Sequence, residues 1–546
     1  MSITINDREF LHVENTPYID YLRQMPEVDP RAVLAMQVGG EDVSPTAVPQ
    51  PGSRARTLTF FDEEGRRIYE RTLQFLFLMA VRRVLGEDQH VRMENSLGKG
   101  IYITLTGLSA TEEIAARIEA EMRALAVADI PFESHAGTKR EALRYFETTS
   151  QTDKVRLLNY RNFEHFLLYS ADGMLEYFYG GMAPSTGYVS VFSVRCDAPG
   201  LLLLMPDPSN PSVPAPYVPM PKLKSVFAES SQWNRWQHVT NAADLNDRIV
   251  SGGFRELVRI CEGHHERAIY QIADRFAASG ARLMLIAGPS SSGKTTFACR
   301  MQTALTVLGI PSVRVSLDDY YIDRDKLEKD ENGQYDFEKL EALDVELLGR
   351  QLPALLRGEP VELPEFDFTT GGRKPVGRPL TVSPDQVIVI EGIHGLNERL
   401  TATVPRDMKF KIYLSALTTL NLDDHNRIRT TDMRLLRRIV RDHQFRGTLP
   451  AETIAMWPSV RRGEENYIFP YQEDADVMFN SSLAYELAIM KKYAYPLLKA
   501  VSPDDPGYSI ARRLCKFLNY IYSADALDEV PPGSILREFV GGSCYA

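Results

Sequence analysis

The chain has 546 residues, of which 44% are hydrophobic and 25% are charged, a composition that favours a folded multidomain protein over a disordered one. Its net charge of −11, from 73 acidic and 62 basic residues, gives no support for nonspecific binding to nucleic acid or to anionic membranes. Five separated cysteines argue against a disulfide framework, and neither an export signal nor a run of 18 apolar residues stands out, so we predict a cytoplasmic protein without a membrane span.

The first 225 residues have the mixed pattern of an α+β region. Residues 1–60 are predicted to form a small leading module, with a strand at Arg56–Phe61. The further predicted elements are a buried helix over Tyr69–Val84, strands within Val91–Leu105 and Tyr188–Leu204, and a helix over Ala110–Leu125. The proline-rich segment Pro206–Pro216 cannot continue a helix or a central strand, so we place a domain boundary near residue 225. Residues 226–280 are predicted to be a helical connector.

A phosphate-binding loop is predicted at Gly288–Thr295, which reads GPSSSGKT. It follows the apolar strand Leu283–Ala287 and precedes a helix. In that context the backbone N–H groups wrap phosphates, Lys294 reaches the β and γ oxygens, and Thr295 offers its hydroxyl to magnesium. ATP and Mg²⁺ are therefore the expected cofactors. The predicted nucleotide-binding residues are Gly288, Ser290, Ser291, Ser292, Gly293, Lys294, Thr295 and Thr296.

Acidic residues follow two further predicted strands. Val313–Leu317 leads into Asp318 and Asp319, and the strand at Val387–Ile390 ends in Glu391. Each acid taken alone is equally well explained as a solvated turn. Because parallel strands present their carboxyl ends at one edge of a sheet, the pattern predicts a magnesium site formed by Thr295, Asp318 and Glu391.

Arginines recur at helical spacing later in the chain, at positions 434, 437, 438 and 441, with Arg446 beyond them. One interpretation is a solvated basic face. The other is an arginine-bearing lid that closes over a triphosphate, in which Arg441 or Arg446 touches phosphate. The predicted catalytic residues are Lys294, Asp318, Arg441 and Arg446.

From about Leu283 to Val501 the chain resembles the uridine kinase and phosphoribulokinase family. The motifs that carry the resemblance, besides the phosphate loop, are Ser316–Tyr321, Phe337–Asp344 and Pro364–Arg373. The resemblance implies an α/β fold, a P-loop NTPase parallel sheet with flanking helices, over residues 281–505. It also implies a general base at Asp318 and a substrate site of Tyr321, Glu338, Phe366, Asp367 and Arg373. Phe366 and Gly371 stand where uridine kinases have a tyrosine and a histidine, which leaves the base open.

The N-terminal half resembles a TGS-like module over residues 1–60, followed by the second additional domain of threonyl-tRNA synthetase over residues 61–225. The segments that carry this resemblance are Arg67–Arg71, Glu94–Tyr102 and Pro184–Tyr188. The synthetase helix presents two histidines for editing, but residues 60–80 contain none, so we expect no editing activity. Residues 506–546 are the predicted C-terminal tail, and Ser534–Gly542 is similar to the ending of proteins that fuse these two halves.

The expected activity is transfer of the γ-phosphoryl group of ATP to a hydroxyl, foremost the 5′-hydroxyl of a nucleoside. Two alternatives stay open: an RNA-associated or ribosome-associated protein whose P-loop hydrolyses nucleotide, and a kinase of another small metabolite. The missing Asn-Lys-x-Asp motif argues against a GTPase switch. The expected partner is a small-molecule alcohol. RNA binding by the N-terminal half has no support from net charge, and the chain is also a candidate homo-oligomer.

Overall fold

A computed structural model describes residues 1–161, 163, 165–327, 336–367 and 370–545. The leading module is a mixed sheet in the order β2-β1-β5-β3-β4, in which β1 and β5 are parallel. Its elements are β1 (Ser2–Ile5), β2 (Arg8–Leu11), α1 (Tyr18–Leu22), β3 (Ala35–Val38), β4 (Glu41–Val43) and β5 (Arg54–Leu58). The predicted strand at Arg56–Phe61 is therefore present but begins earlier. It ends at Leu58 because the next residues turn into a helix, with the Asp62 carboxylate accepting from the Thr59 N–H at 2.8 Å.

The second region is also α+β, as predicted, and is built around a long buried helix. That helix ends at Gly86, whose φ of +100° suits glycine. Two antiparallel sheets accompany it, in the orders β11-β12-β7-β6 and β10-β9-β8. The elements are α2 (Glu63–Leu85), β6 (Val91–Leu97), β7 (Gly100–Leu105), α3 (Glu112–Ala128), β8 (Glu133–Thr138), α4 (Lys139–Thr148), α5 (Thr152–Asn159), β9 (His165–Ala171), β10 (Met174–Glu176), β11 (Ser193–Asp197) and β12 (Gly200–Leu204).

The proline-rich segment forms a short hairpin of β13 (Pro206–Asp207) and β14 (Asn210–Pro214). It pairs only with itself in the described sheets, which fits the prediction that these prolines exclude a central strand. The helices α6 (Pro221–Trp236), α7 (Ala242–Val250) and α8 (Phe254–Ser279) follow. Helix α6 runs through residue 225, and the division of the chain into five parts stays a prediction.

The C-terminal half is organised by a parallel sheet in the order β16-β21-β15-β22-β23 with helices around it. This α/β arrangement confirms the predicted fold class. The strands of the C-terminal half are β15 (Leu283–Ala287), β16 (Ser312–Ser316), β17 (Val361–Leu363), β18 (Phe366–Asp367), β19 (Gly372–Arg373), β20 (Arg378–Leu380), β21 (Val387–Glu391), β22 (Lys409–Ser415) and β23 (Val477–Asn480). Of these, β17 pairs with β20 and β18 with β19 in two antiparallel two-stranded sheets outside the parallel one. Its helices are α9 (Lys294–Val307), α10 (Val345–Leu356), α11 (Thr430–Arg446), α12 (Pro450–Tyr467), α13 (Glu486–Lys499), α14 (Tyr508–Leu518) and α15 (Arg537–Val540).

Strands β15 and β21 are buried along their whole length, which explains their continuous apolar runs. The largest apolar core extends from this sheet to the C-terminal residues Ile535 and Phe539, so the segment predicted to be a tail packs into the kinase-like half. Among the described residues, none of the helices combines the length and apolar character needed to cross a membrane.

Buried charges join the two halves of the chain. Arg67 of α2 lies 2.9 Å from the Asp432 carboxylate of α11, and Arg513 of α14 lies 2.7 Å from the same carboxylate. Lys154 of α5 contacts Glu176 at 2.9 Å and Asp423 at 3.0 Å, and all three side chains are at most 1% exposed. The two halves therefore share ion pairs that are closed to solvent.

Candidate active site

The phosphate loop lies between β15 and α9, where the sequence predicts it. Two positions of the loop require glycine: a Cβ added at Gly288 would lie 1.9 Å from the Leu414 carbonyl oxygen, and Gly293 has a φ of +92° with the Ile535 side chain against it. Gly293 is also the N-cap of α9, so the first N–H groups of that helix lack backbone acceptors. Lys294 Nζ donates to the carbonyls of Gly288 at 3.0 Å and Pro289 at 3.3 Å. The loop is thus a preformed anion-binding turn.

The predicted acids meet the loop at the carboxyl edge of the sheet. Glu391 Oε1 accepts hydrogen bonds from the hydroxyls of Thr295 at 3.5 Å and Ser316 at 3.3 Å. Burial, together with the charge of Asp318, raises the pKa of Glu391 to about 7. Ser316 was not predicted as a site residue, although it lies in the quoted motif two residues before Asp318. Two carboxylates, of Glu391 and Asp318, and two hydroxyls, of Thr295 and Ser316, therefore share one edge.

Asp318 opens to solvent at the mouth of this cleft, but protein atoms crowd around it. This burial raises the pKa of Asp318 above its ordinary value, although the positive charges of Lys294, Arg446 and Arg441, in that order, act in the opposite direction. Both predicted catalytic arginines are thus within electrostatic reach of Asp318. Oxygen donors of this kind are the ligands that Mg²⁺ prefers, so Thr295, Asp318 and Glu391 fit the expected metal. Among the described residues, the structure has no cluster of three or more histidine, cysteine or acidic side chains arranged for a metal.

The arginines of α11 divide into two groups. Arg434 and Arg437 are at most 1% exposed and pair with Glu464 and Glu486. Arg434 also donates to the Ser290 carbonyl at 3.1 Å and Arg437 to the Ser291 carbonyl at 3.4 Å. Neither a solvated basic face nor a lid describes these two residues, because both are fixed behind the phosphate loop.

The remaining arginines surround Asp442, whose side chain is 2% exposed. Arg438 approaches it at 3.2 Å, Arg441 at 2.8 Å and Arg446 at 3.5 Å. Arg438 Nη1 also donates to Ser290 Oγ at 2.8 Å. Burial, and then the charge of Arg441, lowers the pKa of Arg446. These cations are concentrated on the side of α11 that faces the loop and Asp318.

The predicted substrate residues gather around Tyr321. Its ring lies 5.7 Å from that of Phe366 and 6.4 Å from that of Phe337. Asp367 is in β18, paired with Gly372 of β19. Residues 368 and 369 of the predicted substrate loop lie outside the described residues. An aromatic surface thus lies beside the acidic edge.

Arg373 has a supporting role in this arrangement. Its guanidinium donates to the carbonyls of Tyr320 and Tyr321 at 3.0 Å each, and to the Asp344 carboxylate at 3.0 Å. These bonds hold the turn that carries Tyr321. The sequence predicts Arg373 as a substrate contact, but it gave no signal for these hydrogen bonds, because Asp344 is distant from Arg373 along the chain.

Glu338 lies within electrostatic reach of Lys294 of the phosphate loop and of Tyr321 of the aromatic surface. Burial, and then the charge of Glu464, raises its pKa to about 7, whereas Arg438 and Lys294 oppose the rise. The sequence did not single out nearby His394, which is 1% exposed. Burial lowers the pKa of His394 to about 4, and its ring lies 6.0 Å from that of Tyr467. A neutral imidazole therefore lies beneath the segment that carries Glu338.

Thr296 already has a partner in this structure. Its N–H and hydroxyl both donate to the Glu538 carboxylate, at 3.2 and 2.7 Å. Glu538 lies 242 positions further along the chain, so sequence spacing gave no signal for this contact.

The sequence model of the phosphoribulokinase/uridine kinase family matches residues 283–487. A uridine kinase of Macrococcus caseolyticus is 32% identical over 207 residues, which are 37% of this chain and 90% of that protein. A uridine kinase of Deinococcus deserti is 30% identical over 194 residues, covering 35% of this chain and 84% of that protein. A solved structure described as a possible uridine kinase from Bacillus stearothermophilus is 21% identical, with a TM-score of 0.28, and covers 39% of this chain and 98% of that one. These matches concern the C-terminal half, and the synthetase-like N-terminal half stays a prediction.

Proposed function

The chain belongs to the phosphoribulokinase/uridine kinase family, and from that premise we propose that it transfers the γ-phosphoryl group of ATP to a hydroxyl of a nucleoside-like acceptor. The observation that carries the proposal is the convergence of Lys294, Asp318 and Glu391 at one edge of the sheet. Phosphoryl transfer depends mainly on positioning and on charge neutralisation, and these groups supply both.

In this mechanism the loop N–H groups and Lys294 hold the phosphates, while Arg441 and Arg446 neutralise charge as the γ-phosphoryl group moves. Asp318 orients the acceptor hydroxyl and takes its proton; burial raises the pKa of Asp318, which strengthens it as a base, and the surrounding cations limit that rise. Thr295, Asp318 and Glu391 would hold Mg²⁺, which when bound neutralises developing charge on the phosphate oxygens.

A nucleoside-like acceptor is supported by the neighbourhood of Tyr321. The half-buried ring of Tyr321 is backed by the buried ring of Phe366 at 5.7 Å, and such an aromatic pair suits contact with a planar base. Glu338 offers a carboxylate for paired hydroxyls. An anionic sugar phosphate would meet like charge at Asp336 and at the ionised form of Glu338, which favours a neutral diol. The base itself stays open, since Phe366 and Gly371 lack the polar groups of uridine kinases.

The test is an acceptor screen with MgATP, using uridine, cytidine, purine nucleosides and sugar phosphates, with Lys294→Ala as the inactive control. ADP release and acceptor phosphorylation are measured together. Phosphorylation of at least one nucleoside by the wild type alone is the expected result. If no acceptor is phosphorylated while RNA stimulates ATP hydrolysis, the kinase proposal is wrong and the RNA-associated NTPase replaces it.

A further inference from the structure

The C-terminal strap, defined as Ser534–Gly542, lies across the phosphate loop. Ile535, Leu536 and Phe539 are fully buried. A Cβ added at Gly293 would lie 2.5 Å from Ile535 Cγ2, so the strap touches the loop itself. The strap is therefore packed into the core through these side chains.

Polar contacts fix the strap on both sides of the loop. Ser534 Oγ donates to Glu262 Oε1 of α8 at 2.6 Å. Gln444 of α11 donates to the Val540 carbonyl at 3.3 Å. The Phe539 ring lies 5.0 Å from the Arg437 guanidinium, which itself contacts the loop. With its neighbours anchored, the half-buried Glu538 is the part of the strap that can move by side-chain rotation alone.

The Glu538 carboxylate lies where an anion would bind at the N-terminus of α9. Thr296 is the third residue of α9, and its N–H is one of the donors that a helix leaves without a backbone acceptor. The Glu538 carboxylate satisfies this N–H and the Thr296 hydroxyl at once. Negative charge at a helix N-terminus is stabilised by the helix dipole as well. The carboxylate thus has the contacts expected for a nucleotide phosphate in such a loop.

A phosphate and the carboxylate cannot both use these donors. Bringing the two anions together in a water-poor cleft would add repulsion to the competition for hydrogen bonds. The charge of Glu538 also reaches Glu391, since it contributes to the raised pKa of that residue. Entry of the phosphates therefore requires Glu538 to rotate away.

We propose that Glu538 is an autoinhibitory gate, a carboxylate that takes the place of a nucleotide phosphate on Thr296 and is displaced when nucleotide binds. This rests on the proposed function only in assigning the loop to ATP. The strap backbone stays in place, and the state of one side chain sets how tightly the loop binds nucleotide.

The test is direct titration of full-length protein with ADP and with MgATP by calorimetry, without any acceptor. Glu538→Gln keeps the shape and removes the charge, and Glu538→Ala removes both the charge and the acceptor oxygens. Asp528→Asn is the matched control, because it removes a negative charge from an exposed ion pair with Arg255. We expect both Glu538 variants to bind nucleotide more tightly, on the order of tenfold, and the control to match the wild type.

Thermal melting of each variant without nucleotide checks that the strap remains folded. Equal or weaker nucleotide binding by folded Glu538 variants overturns the gate while leaving the kinase proposal standing. If neither the wild type nor the variants bind nucleotide, both proposals are wrong. Tighter binding of both nucleotides with no phosphorylation of any acceptor supports the gate and rejects the kinase.

Discussion

Replacing Arg437 by methionine tests whether the arginines of α11 have separate roles. Arg437 and Glu486 are 0% and 1% exposed and lie 2.5 Å apart. Removing one partner of a buried ion pair costs about 3–5 kcal/mol, because the other charge is left without compensation. Since an unfolding entropy of about 2.1 cal/mol/K per residue gives roughly 1 °C per kcal/mol for a chain of 546 residues, the thermal midpoint should fall by about 3–4 °C.

Differential scanning calorimetry at one scan rate measures this effect, with Arg441→Met as the matched control on the same helix. The Arg441 side chain is 15% exposed, and its partner Asp442 keeps two other arginines, so that variant should melt near the wild type but lose activity. The double variant R437M/E486L removes both buried charges and should recover at least half of the lost midpoint. The assignment of Arg437 to structure would be refuted if R437M melted like R441M, or if the double variant were no more stable than R437M.

Three further predictions follow from the site. Lys294→Ala should lower kcat/KM on the order of 10²-fold or more in a coupled ADP-release assay, while acceptor binding measured by calorimetry is kept. Gly288→Ala should abolish nucleotide binding, measured by calorimetric titration with MgATP, because its Cβ would lie 1.9 Å from the Leu414 carbonyl oxygen. An unchanged affinity for MgATP would contradict this close packing. Folding raises the pKa of Glu391 from 4.5 to about 7, so the folded protein holds this proton more tightly than the unfolded chain does. The free energy of unfolding of the wild type should therefore decrease as the pH rises from 4.5 to about 7. Glu391→Gln has no such proton to lose, so its thermal midpoint should rise relative to that of the wild type over this pH range, and added Mg²⁺ above pH 7 should raise the midpoint of the wild type more than that of the variant. Parallel pH profiles of the two proteins would contradict this.

The elements of the phosphate site could be predicted because each depends on local sequence. A buried parallel strand, a glycine-rich turn and a helix start are contiguous at residues 283–307, and the acids Asp318 and Glu391 each end or follow a strand. The parallel sheet then brings them together at one edge without any further signal. That Thr295 and Glu391 lie at the same edge follows from β15 and β21 being parallel neighbours in the sheet.

Contacts between distant segments could not be predicted in this way. Arginine spacing gives the helix period of α11, but it does not reveal that Glu464 and Glu486 lie behind that helix. The partner of Arg373 and the partner of Thr296 are likewise far along the chain. A single sequence specifies charge and periodicity, whereas the identity of a buried counter-ion depends on the assembled core.

The buried ion pairs between the halves predict that the C-terminal half will not fold as an independent domain. Cutting the chain ahead of residue 281 would take away Arg67 and Lys154, and Asp432 and Asp423 would each lose a cation that folding has sealed from water. Opening this interface would also expose the apolar core that the two halves share, and it would remove the cations that pair with acids in and just before α11, the helix that presents Arg441 and Arg446. The N-terminal half thus supplies counter-ions to acids of the C-terminal half, so the two halves depend on each other physically.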